Sequence, residues 1–477
     1  MNRVPALIIT AALTFTIGGA VSPATAYAAT CVTGADGDFD GDGLRDRAVA
    51  APNGADGGHV VVTYTSTGTT TVIDQQTAGV PGAGADGDLF GFALATYDNN
   101  GDGCDELVIG GPGEDVGGKP DAGSVWIVPG ARGGLNTAAT TAYTQDSAGF
   151  PGAVEPSDLF GYALAAGLTG AQPYLLIGSP GEKLDDGYAE GQVYYLRAAA
   201  IVTLHQDKPG VADDSEPGDW FGETVAATPT HVAVGVSGEN AGAGAVALFT
   251  HALTADSLTP LSTVGQDSAT VSGAGEAGDA FGGGLSALPY RPTGVTATGT
   301  LLAVSATGED LGAAVDAGLV HTLFVDSRGV VTQLAEYKQS APDVEGTPET
   351  DDLFGGVVRL ADTSGGAYAT PASALLTVGS AGSEGSHPGT GAVQVFRLAG
   401  APGDGDVWIA PGHAGLPAEG WNDHTVAGST PEWLYLPGWS DAGAVVFGLK
   451  WSELLAGGSV RAHVWPAGDD FNVTGVL

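Results

Sequence analysis

One phrase recurs seven times along this chain: an apolar strand, a Gly/Pro turn, and a second apolar strand opened by glycine. The first halves read VAAPNG (49–54), VIGGPGE (108–114), LIGSPGE (176–182), VAVGVSGE (232–239), LAVSATGE (302–309), LTVGSAGSE (376–384) and LYLPGWS (434–440). The second halves begin at Gly58, Gly123, Gly191, Gly244, Gly318, Gly391 and Gly443. A period of about 60 to 70 residues marks a repeat architecture, in which each unit buries its apolar face on its neighbours. Function in such a scaffold is sought in the loops and in the units that differ.

More of the unit is visible upstream. Phe-Gly stands before five units, at Phe90-Gly91, Phe160-Gly161, Phe221-Gly222, Phe281-Gly282 and Phe354-Gly355, each with an Asp two residues before the Phe (Asp88, Asp158, Asp219, Asp279, Asp352). Before these lie connections that begin with Gln, read at Gln76, Gln145, Gln206, Gln266 and Gln339. One unit therefore holds four short strands, and seven units of four make an all-β, seven-bladed β-propeller. Phe is expected to fill the space between blades, and Gly to let neighbouring backbones approach. The first unit lacks a preceding Phe-Gly, whereas the final residues, DDFNVTGVL (469–477), resemble DLFGGVV (352–358) with Asn in place of Gly. The C-terminal strand is thus expected to enter the first blade and close the ring, which removes two open sheet edges.

These repeats resemble the FG-GAP repeats of integrin α-subunit propellers and of many secreted bacterial proteins, and the resemblance covers essentially all of residues 29–477. It implies a calcium-binding propeller, often used for extracellular recognition, and does not say what is recognised. Two units carry an acidic loop between their first and second strands: Asp38-Phe39-Asp40-Gly41-Asp42-Gly43-Leu44-Arg45-Asp46 and Asp98-Asn99-Asn100-Gly101-Asp102-Gly103-Cys104-Asp105-Glu106. Oxygen ligands at positions 1, 3, 5 and 9, a main-chain carbonyl at 7 and glycine at 6 are what Ca²⁺ requires. The expected ligands of two Ca²⁺ sites, in blades 1 and 2, are Asp38, Asp40, Asp42, Leu44 and Asp46, then Asp98, Asn100, Asp102, Cys104 and Glu106. An EF-hand would need a bidentate carboxylate at position 12, where Val49 and Ile109 stand instead. In the second loop Asp105 adjoins Glu106, and the pattern leaves open which one coordinates. The other five units lack such loops, so the ions are expected to be structural and to clamp the ring closure.

Residues 1–28 read as a secretory signal peptide, with Arg3, an apolar stretch over 4–20 and Ala26-Tyr27-Ala28 as the cleavage pattern. The protein is therefore expected to be secreted. Cys31 lies just past this segment, but Ala28-Ala29-Thr30 lacks the Leu and small residue expected before a lipidated Cys. In an oxidising destination a disulfide from Cys31 to Cys104 is expected. A net charge of −40 argues against nucleic acid and anionic membrane surfaces as partners. No second apolar run is long enough for a membrane span.

No catalytic constellation emerges. There is no Gly-Xaa-Ser-Xaa-Gly elbow, no His-Glu-Xaa-Xaa-His helix and no phosphate-cradling glycine loop. The turns holding Glu114, Glu182 and Glu309 gather carboxylates on one face, where the expectation is that they accept main-chain N–H groups within their own turns. Trp421, Trp433, Trp439, Trp451 and Trp465 cluster in the last unit, as core filling or as a platform for sugars. The leading reading is a monomeric, non-catalytic binding or adhesion module for an extracellular protein or glycan. The alternative is an extracellular hydrolase acting on glycans, with an acidic site at the pore mouth.

Overall fold

A computed structural model describes residues 31–32, 36–184, 188–382, 391–410, 412–417, 426, 428–440, 443–457, 460–468 and 475–476. The proposed signal segment 1–28, Trp421 and the Phe471-Asn472 pair lie outside these residues, as does the side chain of Trp439. Seven four-stranded antiparallel sheets form the molecule. Blade 2 shows the common plan, with strands Ala93–Tyr97, Glu106–Gly111, Ser124–Val128 and Thr141–Tyr143 following one another from the axis outward. The innermost strands touch their neighbours in ring order and return to the first. The chain is a seven-bladed β-propeller with almost no helix.

Blade 1 is closed as the C-terminal likeness suggests. Its sheet begins with Gly475–Val476, which pairs antiparallel with Arg47–Ala51 through Val49 opposite Val476 and Ala50 opposite Gly475. The strands His59–Thr63 and Thr70–Ile73 complete it.

The recurring residues are those that blade contacts demand. Phe90, Phe160, Phe221 and Phe281 are fully buried and Phe354 is 1% exposed. Burying each contributes on the order of 2–3 kcal/mol. Each sits in an apolar cluster shared by two blades; that of Phe160 joins Val108 and Val125 of blade 2 to Leu175, Ile177 and Tyr194 of blade 3. The Phe160 N–H donates to Ala122 O of the preceding blade at 3.0 Å. Gly123, the next residue, has φ +87°, and a Cβ there would lie 2.2 Å from Phe160 O. No other residue tolerates both the left-handed backbone and this approach. Gly161 completes the motif, with φ +94° and its N–H bonded to Gly178 O at 3.0 Å within its own blade.

Candidate metal centre

The first acidic loop is wrapped around its own carboxylates. Asp38 Oδ1 accepts the N–H groups of Gly41 (2.8 Å) and Asp42 (3.1 Å), and its Oδ2 that of Gly43 (2.7 Å). Asp40 accepts from Asp42 N–H at 3.1 Å, and Asp42 from Leu44 N–H at 2.8 Å. These bonds turn the loop so that carboxylate oxygens of Asp38, Asp40 and Asp42 all come within 4.8 Å of one another. Positive φ at Gly41 (+70°) and Gly43 (+93°) permits the turn. Asp46, the ninth position, is buried, with Oδ2 accepting Phe39 N–H and Oδ1 accepting Thr65 N–H. Phe39 is fully buried among the residues shared by blades 1 and 2, which anchors the loop to the core.

The second loop repeats most of these bonds. Asp98 accepts from Gly101 (2.7 Å) and Gly103 (3.0 Å), Asn100 from Asp102 (2.8 Å), and Asp102 from Cys104 (2.9 Å). Its last two carboxylates point to different places. Glu106 is buried and accepts from Asn99 N–H at 2.6 Å and Asn100 Nδ2 at 2.9 Å, inside the loop. Asp105 reaches across instead, accepting from Gly37 N–H of blade 1 at 2.6 Å and from Thr96 Oγ1 at 3.2 Å.

The two loops form one unit. Asp105 N–H donates to Asp38 O at 3.0 Å, Ala131 N–H to Phe39 O and Gly133 N–H to Asp40 O. Cys31 and Cys104 are joined by a disulfide with a Cα–Cα distance of 5.3 Å. Asp102 lies close to these sulfurs, but bonded cysteines offer no thiolate to a metal.

Charge crowding is the main electrostatic fact of the loops. Burial, then the neighbouring Asp42, holds the Asp40 carboxyl above its ordinary range. Burial pushes Asp46 up to about 6 and Glu106 up to about 7, with nearby Asp carboxylates adding to each. Asp42 Oδ2 is buried without a hydrogen-bond partner. An oxygen-rich cluster with a carboxylate oxygen left unmatched suits a hard cation.

The other acidic turns are arranged differently from expectation. Asp115 and Asp310 do accept N–H groups within their own turns, from Asp121 and Asp316. The glutamates, however, are engaged across blades by the Gln that ends the preceding blade. Gln75 Nε2 donates to Glu114 at 2.5 Å and Gln266 Nε2 to Glu309 at 2.6 Å, while Gln145 meets Glu182 and Gln206 meets Glu239. In blade 1 the partner is Gln75, not Gln76, because Gln75-Gln76-Thr77 aligns with Gln145-Asp146-Ser147; Gln76 is exposed and bonds Gly84 O. Each glutamate shares its corner with the Asp before Phe-Gly. Burial, followed by the Asp158 charge, pushes Glu182 up to about 8, and burial pushes Asp158 up to about 7. Glu114 and Glu239 are each pushed up to about 7 by burial.

Of the described tryptophans of blade 7, Trp451 is core, whereas Trp433 and Trp465 are half-buried. Trp451 is 2% exposed and its indole N–H donates to Thr430 O at 2.8 Å. Trp433 and Trp465 pack edge to face at 5.5 Å, and the Arg47 guanidinium of blade 1 lies 3.7 Å from the Trp465 ring centroid.

Among the described residues no helix is long and apolar enough to cross a membrane. A family model for the FG-GAP repeat matches residues 90–128, which run from Phe90 through the second acidic loop to the end of the third strand of blade 2. Integrin alpha-PS2 of Drosophila melanogaster is 37% identical over 98 residues, 19% of this chain and 6% of that protein. The chain thus matches a small part of that relative's length. The matched repeat, the likeness to an integrin α chain and the closed ring of seven blades together support an FG-GAP, integrin α-like β-propeller.

Proposed function

We propose that this propeller is a secreted, calcium-stabilised and non-catalytic binding module for an extracellular protein or glycan. The observation that carries the calcium assignment is the convergence of carboxylate oxygens of Asp38, Asp40 and Asp42, with one Asp42 oxygen left without a hydrogen-bond partner. Asp38, Asp40, Asp42, Asp46 and the Leu44 carbonyl would hold one ion, and Asp98, Asn100, Asp102, Glu106 and the Cys104 carbonyl a second. Asp105 is left out of the second set because it is spent on Gly37 and Thr96. Since the loops bond to each other and share a disulfide beside the closing blade, the ions would hold blades 1 and 2 together.

Secretion is supported by the character of residues 1–28 and by a disulfide that needs an oxidising compartment. The likeness to an integrin α chain supports recognition as the role. The hydrolase alternative placed its carboxylates at the pore mouth; Glu114, Glu182 and Glu309 are instead bonded to glutamines between blades.

Calcium titration of the metal-stripped protein by calorimetry should show two sites, and one in the Asp42→Asn variant. A ligand bound only to the folded state at about a hundred times its Kd adds about 2.7 kcal/mol, so chelation should lower the melting temperature by several degrees. An unchanged melt, or weak binding at many sites, would refute the assignment.

A further inference from the structure

The axial channel is lopsided at one recurring position. The residue after each Phe-Gly lines it: Phe92 in blade 2, Tyr162 in blade 3, Glu223 in blade 4, Gly283 in blade 5 and Gly356 in blade 6. Around a cavity of about 530 Å³, three consecutive blades therefore present large side chains and the next two present bare backbone. The fold does not require bulk there. Blades 5 and 6 make the same Phe N–H bonds to the preceding blade with glycine at this position. Phe92 and Tyr162 are also only half-buried, unlike the core aromatics.

The large side chains form one connected wall. The Phe92 and Tyr162 rings lie 4.7 Å apart, tilted by 46°. On the next blade the Ser237 hydroxyl donates to Glu223 Oε2, which fixes that carboxylate. Its charge lies near enough to Tyr162 to add to burial in raising the phenol. Among the described lining residues Glu223 is the one carboxylate and Arg359 the one Lys or Arg. Arg359 stands three residues farther along its strand than Gly356, about 10 Å at the usual rise, and its Nη1 donates to Val358 O.

We propose that this wall binds a small organic cation, an alkylated or quaternary ammonium group, with its methyl or methylene shell on Phe92 and Tyr162 and its charge against Glu223. Aromatic faces attract such cations through the ring quadrupole. A bare metal ion is excluded as the preferred occupant because one carboxylate supplies too few oxygens to replace its hydration shell. The glycines of blades 5 and 6 put no side chain at this level of the channel. Arg359 repels cations from the deeper channel, which confines the site to the wall. The net charge of −40 raises the local concentration of cations at the surface. None of this depends on the calcium loops or on the macromolecular partner.

The test uses choline and its neutral isostere 3,3-dimethylbutan-1-ol, titrated into the full-length, calcium-saturated protein and followed by calorimetry and ligand-observed NMR. Choline should bind saturably at one site, at least about tenfold more tightly than the alcohol. Glu223→Gln should weaken choline by about tenfold or more without changing the calcium stoichiometry. A Phe92→Gly, Tyr162→Gly double variant, which copies blades 5 and 6, should lose binding as well. Equal binding of the alcohol, absence of saturable choline binding, or choline affinity unchanged in Glu223→Gln would overturn the proposal. If the double variant does not fold, the Glu223→Gln comparison decides alone.

Discussion

Glu182 is a carboxyl that the propeller holds in its neutral form, and exchanging it for the neutral Gln should stabilise the protein above neutral pH. Glu182 is 6% exposed, bonded by Gln145 and placed near Asp158, which has no exposed surface. Glu155 also faces it with like charge, Lys183 lies on the Asp158 side, and Gln192 partly offsets the burial. Its folded value of about 8 lies above the ordinary 4.5, so the unfolded chain releases this proton first. The corner's contribution is therefore complete at pH values below the ordinary one and is lost as pH rises through about 8. At about 1.4 kcal/mol per unit over the roughly three units up to pH 7.5, the upper bound is about 4 kcal/mol. Sharing the proton with Asp158 reduces this to about 2 kcal/mol. Glu182→Gln should thus raise the melting temperature at pH 8 by roughly 2 °C and change it little at pH 5. Calorimetric melts from pH 5 to 8.5 with saturating calcium would measure it. A variant that melts below wild type by the same margin at both pH values would refute the reasoning, since the corner would then be holding a charge and not a proton.

The remaining predictions concern the closing blade. Cys31→Ser with Cys104→Ser opens a loop of 73 residues in sequence separation, so chain entropy predicts a loss of about 2–4 kcal/mol. The same variant should bind calcium more weakly at both loops, which titration would detect. Deleting residues 475–477 removes the strand paired with Val49 and Ala50, and the shortened protein should melt earlier and self-associate through the exposed edge. Light scattering and melting curves equal to those of the intact protein would show that the ring closes without it.

What could be read from the sequence was whatever the blades are forced to share. A Phe fills five of the interfaces and a Gly admits its backbone, so Phe160 and Gly123 have counterparts around most of the ring. The closing strand was legible because 469–477 still resembles an inner strand. The acidic loops were legible because a wrapped loop spaces its oxygens regularly. The Gln–Glu corners were missed although both halves recur, since Gln75 and Glu114 stand 39 residues apart and meet only when blades pack. The choice of Gln76 over Gln75 is a one-residue slip that only the burial of the true partner corrects. Between Asp105 and Glu106 the spacing could not decide, because the deciding contact, Gly37, belongs to another blade. Phe92, Tyr162 and Glu223 escaped notice for the opposite reason: they occupy a position the fold leaves free, so no pattern marks them.

The pairing of Val49 with Val476 has a consequence for how the molecule is made. Synthesis from the N-terminus delivers the outer strands of blade 1 first and their inner strand only after blades 2 to 7. Blades 2 to 7 can form in order, each on the one before, while blade 1 waits with an open edge. Pairing residues so far apart is slow, because the loop-closure entropy is spent before the contacts form. The disulfide between Cys31 and Cys104 needs only the first two blades, so it and the two acidic loops can hold the unfinished blade in place through that interval. The strand Gly475–Val476 thereby acts as a completion signal: a chain cut short before it keeps the open edge of blade 1.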